Sequence, residues 1–508
     1  MDITIVGGGT AGWVIALLIT KRHPKTHNIT VIESSKIGIV GVGESTTGVF
    51  TNLITNGLYE LGIDLNDFII KTGATLKYGI KHKGWTKDLN DFYIGPIDST
   101  QVSIGVPDPI FAYAHAYLND KERPKATPLG FKTLKDSVGY NKDIGWTDLT
   151  WAMHVDSHLV GAYFRNLCMS AGVKLIDSEV TEVNLKENGF IKNLTLTDNT
   201  ILESDFFVDC TGFSRKLMSS LSKEWVSYKE YLPVNTGMPF LTKYHENEYV
   251  PPYTTAWAQN AGWLWSIPLL DRKGNGYVFC DSFTSEESAK QEIEKNLGDT
   301  IDFNNLIKFE SGRVKETWIK NCLVIGLSSH FLEPLEATSI HNTVVQASGF
   351  VFEFLKPTLE ETVNQGSINL YNSRTSRMFD NMRDFVSLHY AGDREDTEFW
   401  KYMKYDAKKS DFILNLIETC KHRMPTINDF SEYFGSAGWP LYSYILAGIG
   451  KLSKDVCKKA LDETIVTGNL LTLSQDTFKG YLDDIYNISQ QEMKYQEWIS
   501  FFRSLRNN

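Results

Sequence analysis

Residues 1–12, MDITIVGGGTAG, decide the fold of this chain. An apolar strand runs directly into the pattern G-x-G-x-x-G, and helix-compatible residues follow at 13–18. Glycines in this pattern permit a tight turn and a close approach to pyrophosphate, while the helix N-terminus offers free N–H groups to the anion. A second apolar strand, 29–32, ends at Glu33, about 20 residues beyond the last glycine, where a carboxylate accepts ribose hydroxyls. The sequence therefore predicts a dinucleotide site for an unphosphorylated adenosine ribose.

The bulk composition is that of an ordinary globular protein. The chain has 508 residues, of which 42% are hydrophobic and 22% charged, and its formal net charge is −11. This length predicts two or three packed modules. The acidic balance disfavours nucleic-acid binding, because such proteins present basic patches.

The cysteines and the apolar segments indicate in which cellular compartment the protein resides. Six cysteines are scattered without a C-x-x-C pair, which argues against a zinc site and favours buried free thiols in a reducing environment. The first strand begins at residue 3, and no apolar run reaches the ~18 residues of a membrane helix. We expect a cytoplasmic protein with no signal peptide and no membrane partner.

The pattern along the chain changes from alternating strands and helices to mostly helix. A helix is predicted over about 156–171, and apolar strands at 206–209 and 322–325 each end at a glycine turn. Residues 225–320 are typical of a sheet. Beyond Ser339 the apolar spacing is helical and stays so to Arg506.

Four glycine turns, at 7–12, 41–48, 211–212 and Gly326, exceed what a bare NAD site needs and favour FAD bound in an extended form. The predicted fold is α/β: a Rossmann-type FAD-binding module with a mixed sheet over 1–345, like that of class A flavin monooxygenases, and a helical substrate-binding module over 346–508. The first module takes its dinucleotide-binding segments from about 1–50, 154–220 and 320–345, and its substrate-side sheet from 225–320. The predicted cofactor-binding residues are Gly7, Gly9, Thr10, Ala11, Gly12, Glu33, Gly43, Glu44, Ser45, Thr46, Asp209, Gly212 and Gly326.

Several motifs resemble those of flavin-dependent halogenases of the tryptophan halogenase family. W-x-W-x-I-P stands at 263–268, and FLEPLEATSI at 331–340 is similar to the F-L-E-P-L-E-S-T segment of that family. Further matches, in order along the chain, are GVGEST at 41–46, DCTGF at 209–213, His389-Tyr390 with Phe399-Trp400, and ILAGIG at 445–450.

The resemblance implies an enzyme in which reduced FAD, O₂ and halide produce hypohalous acid, which passes through the protein to a lysine beside an aromatic substrate. It implies a separate NAD(P)H-dependent flavin reductase as partner, and we also expect a homo-oligomer. By the same resemblance Glu336 is the active-site carboxylate, and backbone amides at Thr338 and Ser339 bind the halide. Trp263, Trp265 and Pro334 are expected to line the barrier between flavin and substrate.

Lys77 fits the family position of the catalytic lysine, in the segment ATLKYGIK at 74–81. Its ammonium could polarise hypohalous acid through a hydrogen bond, or its free amine could form a haloamine. Lys81 is a rival, because on one continuous strand it would share a face with Lys77.

The sequence departs from the family pattern around the substrate. Ile94 stands where tryptophan-specific members have a histidine, within FYIGP at 92–96, and Ala337 replaces a serine. The stretch 434–442 lacks the expected substrate-lid residues. We therefore expect an indole, a phenol or another electron-rich arene rather than free tryptophan.

Two other functions fit a flavin site. One is an aromatic monooxygenase that hydroxylates, and the other is a non-catalytic FAD-binding redox protein. The W-x-W-x-I-P motif argues against the first, and the joint presence of Lys77 and Glu336 argues against the second.

Overall fold

The computed structural model describes residues 1–38, 41, 43–55, 61–95, 140–143, 145–146, 151–303, 306–430, 436–466 and 493–507, with only the backbone described at 141 and 461–466. Two sequence-based inferences extend beyond these residues. Position 96 of the Ile94 segment and positions 434–435 of the expected lid lie outside the described residues.

A six-stranded sheet contains the strands that lead into three of the predicted glycine turns. Five of its strands are parallel and one edge strand is antiparallel. Their spatial order is Lys174–Asp177, Asn28–Glu33, Asp2–Val6, Phe206–Asp209, Cys322–Val324 and Trp318–Ile319. Carboxyl ends of parallel strands meet at one sheet edge, so the turns after Val6, Asp209 and Val324 come together there. The predicted strands and the α/β class are confirmed.

A second large sheet has seven strands. Its strands pair antiparallel, except that Thr254–Ala258 runs parallel to Ile80–Lys83. In spatial order the strands are Ile307–Lys308, Thr236–Lys243, Arg272–Phe279, Gly262–Pro268, Thr254–Ala258, Ile80–Lys83 and Phe92–Gly95. The W-x-W-x-I-P motif is thus a central strand, and the segment after Lys77 joins the sheet near its edge.

The described residues also form four small sheets. The one that matters for the site places Ala152–Val155 between Glu44–Ser45 and Thr75–Lys77, so a predicted cofactor loop and Lys77 become neighbours. The other three sheets contain Val180–Leu185 with Ile191–Leu196 and Ile201–Glu203, Trp225–Ser227 with Gly312–Val314 and His330–Phe331, and Tyr140–Asn141 with Gly145–Trp146.

The predicted helix over 156–171 is observed as Ser157–Ser170. Asp156 is its N-cap, accepting hydrogen bonds from the backbone N–H groups of His158 and Leu159. Within the described residues, the α-helices that precede Pro334 are Thr10–Arg22, Gly48–Thr55, Leu65–Thr72, Ser157–Ser170, Met218–Leu221 and Glu286–Leu297. The last of these lies inside the region predicted as sheet.

Beyond Ser339 the described chain is mostly helical, as predicted, and the first of these helices begins at Thr338. Its α-helices are Thr338–Gly349, Leu359–Thr362, Gln365–Leu388, Glu398–Tyr405, Asp411–Thr419, Trp439–Gly448, Lys454–Val466 and Tyr495–Asn507. A π-helical turn, Phe350–Phe354, follows the first of these helices. Single 3₁₀ turns in the described chain, including two before Pro334, are Gly212–Ser214, Gly326–Ser328, Pro334–Glu336, His389–Ala391 and Ile427–Asp429. Among the described residues, none of these helices combines the length and the apolar character that spanning a bilayer demands.

The hydrophobic cores join the two ends of the chain. The largest core includes Trp13 and Ile15 from the first helix together with Trp498 and Phe502 from the last. A second core packs Trp263 of the seven-stranded sheet against the helix Gln365–Leu388. The division into modules at residue 345 stays a prediction.

Candidate active site

The first glycine turn has the geometry that a pyrophosphate requires. Gly7 has φ +114°, and a Cβ there would lie 2.2 Å from the Cys210 carbonyl oxygen. A Cβ on Gly12 would lie 2.0 Å from the Gly7 carbonyl oxygen, so this glycine permits close packing of helix on strand. No described atom lies within 4 Å of a Cβ placed on Gly9, which is the uncapped N-cap of the helix Thr10–Arg22. Open space at a helix N-terminus fits the FAD pyrophosphate.

Glu33 lies against the same turn. A Cβ on Gly8 would lie 2.5 Å from Glu33 Cβ, so a larger residue at the second position of the motif would displace Glu33. Glu33 Oε1 forms an ion pair with Arg165 Nη1 at 2.6 Å. Sequence reasoning missed Gly8 and Arg165, because the contact joins helix and strand far apart in the chain. The position of Glu33 fits a ribose hydroxyl.

The turn that follows Asp209 is held by the hydrogen bonds of the Asp209 carboxylate. Asp209 is buried, and its carboxylate already accepts hydrogen bonds from the backbone N–H groups of Thr211, Leu217 and Met218 and from the Thr211 hydroxyl. It therefore holds the loop that contains Gly212, which has φ +65°. Direct contact between Asp209 and FAD stays a prediction.

Gly326 brings its turn into contact with the first one. A Cβ there would lie 2.7 Å from Ala11 Cβ, and its φ of +68° also favours glycine. Thr10 Oγ1 is 3.5 Å from the Ser157 carbonyl oxygen, which ties the first helix to the helix Ser157–Ser170. Gly7, Ala11 and Gly326 therefore belong to one cradle.

The loop at Gly43–Thr46 connects this cradle to Lys77. Gly43 has φ +138°, and burial raises the pKa of Glu44 to about 7. Thr46 is fixed by Met153, whose carbonyl oxygen accepts hydrogen bonds from the Thr46 N–H and hydroxyl. The Thr46 carbonyl oxygen accepts a hydrogen bond from Lys77 Nζ at 2.8 Å.

Lys77 and Lys81 occupy different environments. Lys77 ends the strand Thr75–Lys77 and is fully buried. Lys81 belongs to a separate strand in another sheet, is partly exposed, and places its Nζ 4.2 Å from the centroid of the Phe92 ring. The expectation that the two lysines share one strand face is wrong, because the strand is interrupted at residues 78–79.

A directional hydrogen-bond chain surrounds His154 beside Lys77. Thr75 Oγ1 donates to the Pro268 carbonyl oxygen at 2.5 Å, so it must accept from His154 Nδ1, 3.0 Å away. His154 Nε2 then accepts from Thr254 Oγ1 at 3.0 Å, and Thr254 accepts from Ser45 Oγ at 2.9 Å. Burial, together with the charge of Lys77, lowers the pKa of His154 far below its usual value. His154 is thus a neutral imidazole, and its hydrogen-bond chain links the motifs that contain Ser45, Thr75 and Pro268.

Glu336 is buried and lies between two histidines. Its Oε1 is 3.0 Å from His82 Nε2 and 2.9 Å from His389 Nε2. Burial by itself raises the pKa of Glu336, but the hydrogen bonds from His389 and His82 outweigh burial and hold it at about 2. Sequence reasoning missed both histidine contacts; His389 was noticed only as part of a motif without a role.

The halide candidates begin a helix directly after Glu336. Ala337 adopts the left-handed conformation with φ +57°, and the helix Thr338–Gly349 has no side-chain cap. A right-handed residue followed by a left-handed one turns successive N–H groups toward one point, which suits an anion. The Thr338 hydroxyl is buried and has no hydrogen-bond partner among the described residues. Ser339 lies in the first turn of the same helix.

The two tryptophans of the motif are held differently. Trp263 is buried and donates its indole N–H to Glu333 Oε2 at 2.7 Å, and the Tyr390 hydroxyl donates to the same oxygen at 2.5 Å. Burial raises the pKa of Glu333 to about 7 despite these donors. Trp265 packs on Gly276, where a Cβ would lie 2.1 Å from its ring. Glu333 therefore anchors Trp263.

Two further predicted pocket residues are placed near Glu336 in the chain or in space. Pro334 begins the 3₁₀ turn that ends at Glu336. Ile94 is buried on the strand Phe92–Gly95, opposite Lys81, and its neighbour Tyr93 stacks on His82 with 4.6 Å between ring centroids.

The side chains of His82, Glu336 and His389 offer three ligand atoms within 4.8 Å of one another. Two imidazoles and a carboxylate could ligate a divalent cation. Hydrogen bonds alone already satisfy these three atoms, so the structure gives no reason to assign a metal here.

Comparison with known proteins identifies the family. The family model for tryptophan halogenases matches residues 2–462. Tryptophan 6-halogenase SttH of Streptomyces toxytricini is 31% identical over 482 residues, which cover 89% of both chains. Tryptophan 7-halogenase RebH of Lentzea aerocolonigenes is 29% identical over 481 residues, covering 88% of this chain and 89% of RebH. Among solved structures, Tar14, a tryptophan C-6 flavin-dependent chlorinase from taromycin biosynthesis, superposes with a TM-score of 0.85 at 28% identity over 99% of each chain.

The chain belongs to the tryptophan halogenase family. It is a flavin-dependent halogenase, an enzyme that uses FADH₂, O₂ and halide to halogenate an aromatic substrate. Enzymes of this family take reduced flavin from a separate reductase.

Proposed function

We propose that hypohalous acid is relayed to Lys77, and that Lys77 and Glu336 together direct its electrophilic attack on an indole, a phenol or another electron-rich arene. The observation that carries this proposal is the position of Lys77. Its amine is fully buried and hydrogen-bonded to Thr46, one of the predicted cofactor-binding residues. Reduced FAD, when bound in the cradle, would supply two of the four electrons that reduce O₂, and halide, oxidised to hypohalous acid, would supply the other two.

Each proposed residue has one task. An ammonium at Lys77 donates a hydrogen bond to the oxygen of hypohalous acid and makes the halogen more electrophilic. The carboxylate of Glu336 stabilises the cationic ring intermediate and accepts the proton that leaves the substituted carbon. The N–H groups at Thr338 and Ser339 bind halide, and Trp263 and Trp265 separate flavin from substrate.

The cellular setting belongs to the same proposal. We place the enzyme in the cytoplasm, supported by six free cysteines. An NAD(P)H-dependent reductase would supply the reduced flavin there. The proposed homo-oligomer can be tested by light scattering after size-exclusion chromatography.

The first experiment is a halide-resolved product assay by mass spectrometry. Purified enzyme, FAD, a flavin reductase and NADH are given a panel of indoles, phenols, anilines and free tryptophan, with chloride, bromide or iodide supplied separately and catalase present. We expect a halogenated indole or phenol in preference to halogenated tryptophan. Hydroxylated product would instead support the monooxygenase alternative.

Lys77→Ala should abolish halogenated product while FAD binding persists, because it removes the buried amine. Lys81→Ala is the matched control and should retain activity, since Lys81 is partly exposed and packs on Phe92. Product formed equally well by Lys77→Ala would disprove the role of Lys77 and point to free hypohalous acid.

A further inference from the structure

Two imidazole groups converge on the same carboxylate oxygen of Glu336. His82 approaches from the seven-stranded sheet, and His389 approaches from the 3₁₀ turn after the long helix Gln365–Leu388. Both rings are fully buried. Both imidazoles contact Oε1 of Glu336 and neither contacts Oε2.

His389 is held at both ring nitrogens. Its Nδ1 is 3.1 Å from the Phe385 carbonyl oxygen, and its Nε2 is 2.9 Å from Glu336 Oε1. A carbonyl oxygen only accepts, so Nδ1 donates to Phe385 and fixes the ring orientation. The other nitrogen then faces the Glu336 carboxyl group.

His82 is the neutral member of the cluster. Its Nε2 is 3.0 Å from Glu336 Oε1. Burial lowers the pKa of His82 to about 4 and outweighs the opposite effect of the nearby Glu336. The two histidine ring centroids lie 4.9 Å apart, so positive charges on both rings at once would repel each other.

We propose that His82 and His389 are positioning residues of the halogenation site: they fix the Glu336 side chain through Oε1, keep it ionised, and leave Oε2 for the substrate. This inference rests on the proposed role of Glu336. Among the described residues, the titratable groups that lie beside the cluster in space or in sequence include Glu333, Tyr390 and Tyr93. Tyr390 donates to Glu333, so the neighbouring residues His389 and Tyr390 contact two different glutamates. Tyr93 stacks on His82.

The sign of the pH effect follows from the two opposing influences on Glu336. With both donors present its pKa lies near 2, so the carboxylate is ionised at every working pH. Without an imidazole donor, burial dominates and the pKa of Glu336 rises. Activity that needs the carboxylate is then lost as pH falls through the raised pKa.

The test compares His389→Leu, His389→Gln and His82→Leu with the wild-type enzyme. His389→Leu should lower kcat about 10- to 100-fold at neutral pH, with a steeper loss toward acid over the range of about pH 5 to 8. His389→Gln keeps one N–H donor and should recover part of the rate. FAD affinity and the thermal unfolding midpoint should stay near wild type. His422→Gln is the control, because His422 forms an exposed pair with Glu418.

Infrared difference spectra provide a readout that does not need turnover. A protonated carboxylic acid band should appear on acidification of His389→Leu and should disappear when Glu336→Gln is added. A wild-type pH profile in His389→Leu, or a uniform loss at every pH without that band, would overturn the inference. Absence of any halogenated product from the wild-type enzyme would defeat the proposed function instead, and the infrared test would still decide the ionisation of Glu336.

Discussion

At Glu336, the chemistry of one side chain depends on the protons that its neighbours carry. His389 and His82 donate to it, whereas Glu333, three residues earlier, accepts from the weaker acids Tyr390 and Trp263. The pKa of Glu336 is therefore held near 2, and burial raises that of Glu333 to about 7. Two glutamates in one motif thus differ in charge near neutral pH.

Glu336→Gln should cut the halogenation rate about 10- to 100-fold, because the amide keeps the shape but cannot carry negative charge or accept a proton. FAD affinity and thermal stability should change little. Glu333→Gln is the matched control: a protonated glutamate and a glutamine are similar, so its effect should be small. Single-turnover kinetics measure both, and equal rates for Glu336→Gln and wild type would remove Glu336 from the mechanism.

At the scale of single elements, two glycines at the junction between the first strand and the first helix have different expected roles, one in folding and the other in binding. Gly12 faces the protein, where a Cβ would contact the Gly7 carbonyl oxygen, and Gly9 faces open space. The strand and the helix pack together at Gly12. At Gly9, the N–H groups of the helix are presented to the open space.

Gly12→Ala should therefore lower the free energy of unfolding of the FAD-free protein by about 1–3 kcal/mol through overpacking. Gly9→Ala should leave that stability nearly unchanged but weaken FAD binding, because its methyl group projects into the space assigned to pyrophosphate. Thermal unfolding and flavin fluorescence titration measure the two effects. Wild-type FAD affinity in Gly9→Ala would show that the pyrophosphate binds elsewhere.

At the scale of the whole molecule, the last helix supports the strand that contains Lys77. Tyr495 donates its hydroxyl hydrogen to the Leu76 carbonyl oxygen at 3.2 Å, directly before Lys77. Trp498 on the same helix is fully buried in the largest core, 4.6 Å from the Phe502 ring centroid. The end of the chain thus packs beneath a strand near its beginning.

Trp498→Ala should reduce the free energy of unfolding by about 3–5 kcal/mol, since it removes a large buried ring. Leu505→Ala on the same helix is the control and should change stability by less than about 0.5 kcal/mol, because Leu505 is 38% exposed. Urea denaturation measures both variants. Equal midpoints for the two would show that this helix contributes little to the fold.

The local sequence determined the Rossmann-type half of this protein. The strands at 3–6, 29–32, 206–209 and 322–325 and the helix at 157–170 were predictable, because apolar runs, glycine turns and the Asp156 cap act over a few residues. Lys77 and Glu336 could be singled out by resemblance to the family motifs. Their surroundings could not.

Only the tertiary structure decided what contacts those two residues. His82 and His389 are 254 and 53 residues from Glu336 in sequence, and no periodicity links contacts across such separations. The interruption after Lys77 separates it from Lys81, which a continuous strand pattern could not reveal. Local patterns report hydrophobic faces and turns, whereas the charge state of a buried group depends on donors and acceptors that meet only when distant segments pack.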